Sequence, residues 1–408
     1  MTELAAQGRA VREAAIVLAQ APDVQRRRVL ERVAEQFEVR ERELLELNRE
    51  EVRAYVESGA GRDRLTLTPE RIAAMAAALR DIASAPDPLF ETLDQSTRPN
   101  GLRVERMRVP LGVIGVVYEN RPNVTSDVAG LCVRSGNAAF LRGSSSAMRT
   151  NQFIVSMWRE VLAGEGLPEA AVSLVQDPSH EVAVAFMQLT DVLDCLIPRG
   201  GPSLIAAMRE HARVPYVLDG DGNCHVFVDE SAELDMAVQI VVNAKTSRPG
   251  VCNAAETVLV HERIAPRFLP ALASAAPDVE LRGDAATREL VDALAATDDD
   301  YQREFLDLIL AVKVVGSLEE AIAHVSRFGT GHSEAIVTES ADHANEWVRR
   351  VDAAAVLVNA STRFIDGGEL GLGGEVGIST QKLHARGPMG LRELTCLKWV
   401  VRGEGQIR

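Results

Sequence analysis

Apolar residues recur at three- and four-residue spacing over residues 4–18, 24–56 and 72–82. That period places them on one side of a helix and predicts a helical N-terminal region up to about residue 87,. Pro22 and the 66–69 segment punctuate it,. The basic run 26–28 reads as a solvated helix face. Over 92–109 the period changes to two. Leu102, Val104, Arg106 and Arg108 fall on one parity, and Arg103, Glu105, Met107 and Val109 on the other. With Pro99-Asn100-Gly101 ahead as a turn, this predicts a strand or hairpin. Both of its faces are mostly polar, so it is expected to project from the core and pair with another subunit's edge. Residues 396–401 have the same exposed character.

From Pro110 short β runs alternate with helical segments. The β runs are 112–117, 138–141, 172–175, 192–197 and 214–218. Alternation of this kind predicts a parallel sheet with right-handed crossovers. Ligands of such sheets sit at the carboxyl ends of the strands. A second block follows: helix 233–246, strand 256–260, helix 263–274, an irregular stretch, then strand 311–315, helix 318–327, strand 334–337, helix 341–350 and strand 354–358. The two blocks together indicate an α/β protein of more than one domain.

The stretch Asn-Ala-Lys-Thr-Ser-Arg-Pro-Gly-Val-Cys-Asn, ending at Asn253, lies where a helix gives way to a strand. Pro249 and Gly250 break the helix, and Cys252 follows in the loop. A thiolate is the reactive form of cysteine, and nearby cations favour it. Lys245 and Arg248 lie just upstream, so Cys252 is a candidate nucleophile. A buried structural cysteine is the competing reading. Arg142, Gly143, Ser144 and Ser145 follow a β run and open a helix, an arrangement suited to a phosphate or ribose phosphate. Gly200 and Gly201 occupy the corresponding place one unit later. No strict GxGxxG follows the first strand. Arg121 and Asn123 end the first strand of the sheet. An arginine matches a carboxylate or phosphate, and an asparagine amide can donate to an oxyanion. Arg363, Lys382 and Arg386 near the C-terminus are candidate anion ligands. His324, His332 and His343 lack metal-ligand spacing, and no metal site is expected.

Composition narrows this picture. The net charge of −15 argues against non-specific nucleic-acid binding,. No apolar run is long enough to span a bilayer, and the N-terminus does not read as a secretion signal. The five cysteines form no CxxC pair, which fits a reducing cytoplasm,.

Longer motifs carry a resemblance. Val109-Pro-Leu-Gly-Val-Ile-Gly-Val-Val-Tyr-Glu-Asn-Arg-Pro-Asn-Val-Thr, Ile197-Pro-Arg-Gly-Gly, Gly222-Asn-Cys-His-Val, the Cys252 stretch, Val358-Asn-Ala-Ser-Thr-Arg-Phe and Ser379-Thr-Gln-Lys-Leu-His-Ala-Arg-Gly-Pro-Met-Gly resemble the aldehyde dehydrogenase superfamily. Within it they resemble the branch acting on glutamyl phosphate and glutamate 5-semialdehyde. The resemblance implies an aldehyde-dehydrogenase-like α/β fold: a Rossmann-type cofactor domain (1–92 and 110–229), an α/β catalytic domain (230–360), oligomerisation strands (93–109 and 390–408) and a return segment lining the cleft (361–389). It implies NADPH-dependent reduction of L-glutamyl 5-phosphate in proline biosynthesis, in the cytoplasm, by a homo-oligomer, with glutamate 5-kinase as a candidate partner.

Carried over by position, Cys252 is the implied nucleophile. Asn123 is the preferred oxyanion donor of the 120–123 turn. Arg142, Gly143, Ser144, Ser145, Gly200 and Gly201 would contact the cofactor, with Asp307 or Glu304 at its ribose. Arg121, Lys245, Arg248, Arg363 and Arg386 are the substrate-binding candidates. Leu218 stands where hydrolytic relatives carry a glutamate base. An acyl phosphate reductase must avoid hydrolysis of its thioester, so the missing base fits that chemistry.

Overall fold

The computed structural model describes residues 2–56, 60–218 and 220–408. Asp219, in the segment expected to carry the missing base, lies outside them. The chain divides into two compact units. The first comprises residues 1–218, 371–377 and 389–408, and the second residues 219–370 and 378–388.

The first unit opens with five helices, α1 (Thr2–Leu18), α2 (Asp23–Val39), α3 (Glu41–Ala54), α4 (Ala60–Leu65) and α5 (Pro69–Ser84). α5 starts where Thr68 accepts the Arg71 N–H and Pro69 supplies a preset φ at the first turn,. The basic run is not wholly solvated: Arg26 is 1% exposed. Its guanidinium pairs with Asp87 at 2.7 Å and donates to the Arg134 carbonyl. A buried cation needs such partners, and both come from distant residues.

Strands β1 (Thr92–Thr97) and β2 (Arg103–Pro110) form an antiparallel sheet with the C-terminal strand Thr395–Arg402, and β2 lies in the middle. Four parallel strands make the unit's main sheet, in the order β5-β4-β3-β6. They are β3 (Val113–Tyr118), β4 (Ala138–Arg142), β5 (Val172–Leu174) and β6 (Cys195–Arg199). β3 is buried along its whole length, as an apolar run covered on both faces must be,. Helices α6 (Pro122–Arg134), α7 (Met148–Gly164), α8 (His180–Met187) and α9 (Pro202–His211) connect or follow them. The expected strand at 214–218 reduces to a single bridge, Leu196 to Tyr216. Pro215 lacks an N–H and cannot continue a ladder.

The second unit is built on seven parallel strands ordered β10-β9-β11-β8-β7-β12-β13. They are β7 (Cys224–Val228), β8 (Ala255–His261), β9 (Glu280–Gly283), β10 (Leu294–Ala295), β11 (Ile309–Val315), β12 (Ser333–Val337) and β13 (Ala355–Val358). The helices are α10 (Leu234–Thr246), α11 (Ala265–Ala275), α12 (Ala285–Leu290), α13 (Asp298–Gln302), α14 (Leu318–Phe328) and α15 (Ala341–Arg350). The irregular stretch expected between 274 and 311 therefore holds two strands and two short helices. Ala237, Val241 and Ala244 of α10 pack with Val226, Val258 and Phe268 in the core on one side of the sheet. Phe227, Leu259, Ile336 and Trp347 fill the other.

Candidate active site

Cys252 lies between α10 and β8 and is half-buried. α10 closes with the Ser247 N–H on the Asn243 carbonyl, and Pro249 ends the run,. The next residue after the thiol, Asn253, is fixed on three sides. Its Nδ2 donates to the Ile365 carbonyl at 2.8 Å, its carbonyl accepts from Thr362 Oγ1 at 2.6 Å, and its Oδ1 accepts from Arg363. Arg363 Nε also donates to Ser247 Oγ at 3.2 Å. One guanidinium thus ties together both ends of the loop that carries Cys252.

The turn bearing Arg363 is set by Asn359, whose φ of 53° is left-handed. Asparagine tolerates that region, and its side chain replaces lost strand pairing. Asn359 Oδ1 accepts the Thr338 N–H at 2.8 Å, and Nδ2 donates to the Thr338 carbonyl at 2.9 Å.

Behind the nucleophile the backbone packs without clearance. A Cβ at Gly222 would stand 1.7 Å from the Cys252 carbonyl oxygen, so only glycine fits,. The same carbonyl accepts from the Cys224 thiol at 3.1 Å. Burial, with Glu334 and Cys252 nearby, pushes the Cys224 thiol well above its ordinary range, which keeps it protonated as a donor,. The Gly222 N–H donates to Glu304 at 2.7 Å. Two residues on, the Leu306 N–H donates to Glu256 at 3.2 Å.

Glu256 also binds Lys245, at 2.7 Å, and both side chains are 1% exposed or less. Burial pushes the Lys245 pKa down and the Glu256 pKa up, against the pull of each on the other. Lys245, expected at the substrate, is therefore enclosed in an ion pair beneath the site. Arg386 pairs with Asp352 at 2.9 Å, and Lys382 pairs with the same carboxylate at 2.5 Å. Arg248 is exposed, and so is Asp307, whose carboxylate accepts the Leu308 N–H.

In the first unit the expected anion donors meet protein carboxylates or carbonyls. Arg142 donates to the Pro178 carbonyl at 2.7 Å. The start of α7 is capped by Glu51, which accepts from the Arg149 N–H at 2.7 Å and the Thr150 N–H at 3.1 Å. Ser144 accepts the Ser146 N–H, and Ser145 is exposed. A Cβ at Gly143 would lie 2.5 Å from Asn151, and one at Gly200 would lie 2.7 Å from Glu119. Gly201 N–H donates to Glu119 at 3.1 Å. Arg121 precedes α6 and is half-buried. Asn123 is exposed and donates to Asp127 at 2.9 Å, whereas the Asn120 amide donates to the Tyr55 hydroxyl at 2.7 Å.

A half-buried thiol held from behind in one parallel α/β unit, in a chain whose other unit carries a parallel sheet with glycine-marked turns, is the signature of a cysteine-dependent α/β enzyme. The chain belongs to the aldehyde dehydrogenase family, whose description matches residues 3–295. Members of that family use NAD(P). The chain is 50% identical to a gamma-glutamyl phosphate reductase of Carboxydothermus hydrogenoformans over the full length of both. It is likewise 50% identical to one of Xanthomonas campestris, over 97% of each chain. A crystal structure of gamma-glutamyl phosphate reductase from Thermotoga maritima superposes with a TM-score of 0.96 at 47% identity, covering both chains completely. An acetylating aldehyde dehydrogenase from Geobacillus thermoglucosidasius, at 17% identity and a TM-score of 0.73, shares the fold. Among the described residues no helix is long and apolar enough to cross a membrane.

Proposed function

We propose that this protein reduces L-glutamyl 5-phosphate to L-glutamate 5-semialdehyde with release of phosphate, a step of proline biosynthesis, in the cytoplasm. The supporting observation is the end-to-end likeness to gamma-glutamyl phosphate reductases, joined to a cysteine whose loop is clamped on both sides. NADPH is the proposed reductant.

Cys252 thiolate attacks the acyl carbon, and the bond to the phosphate oxygen breaks. Phosphate leaves as a stable anion, so this step needs no acid. An amide of the 120–123 turn, Asn123 or Asn120, donates to the developing oxyanion. The nicotinamide, when bound, supplies hydride to the resulting thioester. The thiohemiacetal then expels the thiolate and leaves the aldehyde. With Leu218 at the place of a base, water is not activated to intercept the thioester.

The glycine turns fit a dinucleotide. Glu119 at the Gly201 N–H presents an anionic oxygen as a pyrophosphate would, which marks that N–H as an anion donor,. Gly200, Gly201, Gly143, Ser144, Ser145 and Arg142 would hold the cofactor in the first unit, with Asp307 or Glu304 at its ribose. Arg121, Arg248, Arg363 and Arg386 are the proposed substrate cations. The strands within 93–109 and 390–408 are proposed to join protomers into a homo-oligomer, and glutamate 5-kinase is a proposed partner. The test is phosphate-dependent NADP reduction with glutamate 5-semialdehyde. Cys252→Ala is expected to abolish it while NADPH binding survives; turnover retained in that variant would end the covalent proposal.

A further inference from the structure

Beside the Cys252 loop, Asn243, Ser247, Arg363, Phe364, Asp366 and Glu369 line an open hollow of about 290 Å³. The wall mixes one guanidinium, two carboxylates and an amide. These charges are not matched to one another. Arg363 donates to Ser247 and Asn253, and its second terminal nitrogen has no acceptor among the described residues. Asp366 accepts the Gly368 N–H at 2.9 Å. Opposite charges held in one small hollow without pairing ask for a ligand that itself carries both signs.

We propose that this hollow is the subsite for the α-amino acid head of the substrate. Arg363 and Asn243 bind the α-carboxylate, and Asp366 and Glu369 bind the α-ammonium. The inference rests on the glutamyl phosphate reading and deepens it by assigning the end of the substrate remote from the chemistry. Its placement suits that end. Arg363 binds Asn253, the neighbour of Cys252, so a head held at Arg363 leaves the short glutamyl chain to run toward the thiol. Phe364, 52% exposed, offers an apolar wall for those methylenes,. A site built this way selects for the amino group, because a ligand without it leaves the two carboxylates of the wall without a cation,.

The experiment compares glutamate 5-semialdehyde with 5-oxopentanoate, the same aldehyde lacking the amino group, in phosphate-dependent NADP reduction. The native protein is expected to prefer the amino aldehyde by about 100-fold in kcat/KM, the scale set by losing a hydrogen bond to a charged group. Asp366→Asn combined with Glu369→Gln is expected to cut that preference at least about tenfold, mainly through KM. Glu369→Gln alone, at an exposed position, is expected to move it in the same direction. Preference unchanged in both variants would overturn the subsite while leaving the reaction in place. If the native protein turned over neither aldehyde with phosphate, the functional reading would fall and the subsite with it.

Discussion

The two parallel sheets carry their candidate chemistry at opposite ends. In the first unit residues 120–123, 142–145 and 200–201 follow β3, β4 and β6, where α6, α7 and α9 begin. In the second, Gly222 and Cys252 precede β7 and β8. The carboxyl end of that second sheet is closed by its own hydrogen bonds: Asp229 accepts from Ser231 and Thr338 and meets His343 at 2.9 Å. Helix N-termini expose orphan N–H groups and a partial positive charge, so they suit phosphates. Cys252 instead follows the C-terminus of α10, so no helix N-terminus serves it. Its loop depends on Arg363, which binds Ser247 and Asn253, and on the backbone packed against Gly222,.

Gly222→Ala is the sharpest test of that dependence. The new methyl group overlaps the Cys252 carbonyl, so the loop must shift by an ångström or more. Displacement of that size in a catalytic group lowers kcat about 100-fold. Cofactor affinity, measured by NADPH fluorescence titration, should hold. An equal loss of cofactor binding would break the division of labour between the units. Next in size is Lys245→Met, which leaves the enclosed Glu256 carboxylate without its cation. Urea unfolding should show a loss of about 3–5 kcal/mol, largely restored by pairing it with Glu256→Leu. A small loss would mean that the ion pair does not support the strap running from Glu256 through Leu306 to Glu304.

The second unit also has a pH signature. Burial, then His225, Lys313 and Arg327, push the His324 pKa from 6.5 down to about 3. The unfolded chain takes up a proton near 6.5, and the folded one only near 3. Stability from this group is therefore complete above the upper value and is lost as pH falls toward the lower. The slope reaches about 1.4 kcal/mol per pH unit. His324→Phe should flatten that slope between pH 6 and pH 4 in urea titrations. An unchanged slope would assign it to other groups.

The sequence made the alternation of strands and helices readable because buried parallel strands are short apolar runs. α15 falls on its expected residues, and β3, β8 and β12 lie within two residues of theirs. β7 escaped notice because Cys224 and His225 open it, and only a seven-stranded sheet explains why such residues are buried. The strand expected at 214–218 ignored what Pro215 does to a ladder. At the site, the Cys252 loop was visible as a motif, yet the burial of Lys245 in an ion pair was not. Its partner Glu256 lies three residues beyond that stretch, but spacing along the chain does not reveal that helix and strand bring the two together. Gly222 and Asn359 lay inside quoted motifs, and their roles depend on a close approach and a backbone angle that composition does not encode.

Glu51 is the least legible of these residues, since it caps a helix 98 positions away. It also offers the finest probe of the contrast between the units. Its carboxylate already occupies the α7 N-terminus, where the first unit was expected to receive a phosphate, and the neighbouring Glu50 pairs with Arg149 at 2.5 Å. Glu51→Gln removes the charge and keeps one acceptor oxygen, so one of the two N–H groups loses its partner,. The loss of a charged cap should lower stability by about 0.5–1 kcal/mol. If cofactor phosphates use that terminus, the neutral side chain yields to them more readily, and NADPH should bind about two- to fivefold more tightly, in line with that same energy. Unchanged affinity would restrict the phosphates to the Gly200–Gly201 turn and leave α7 capped, bound cofactor or not.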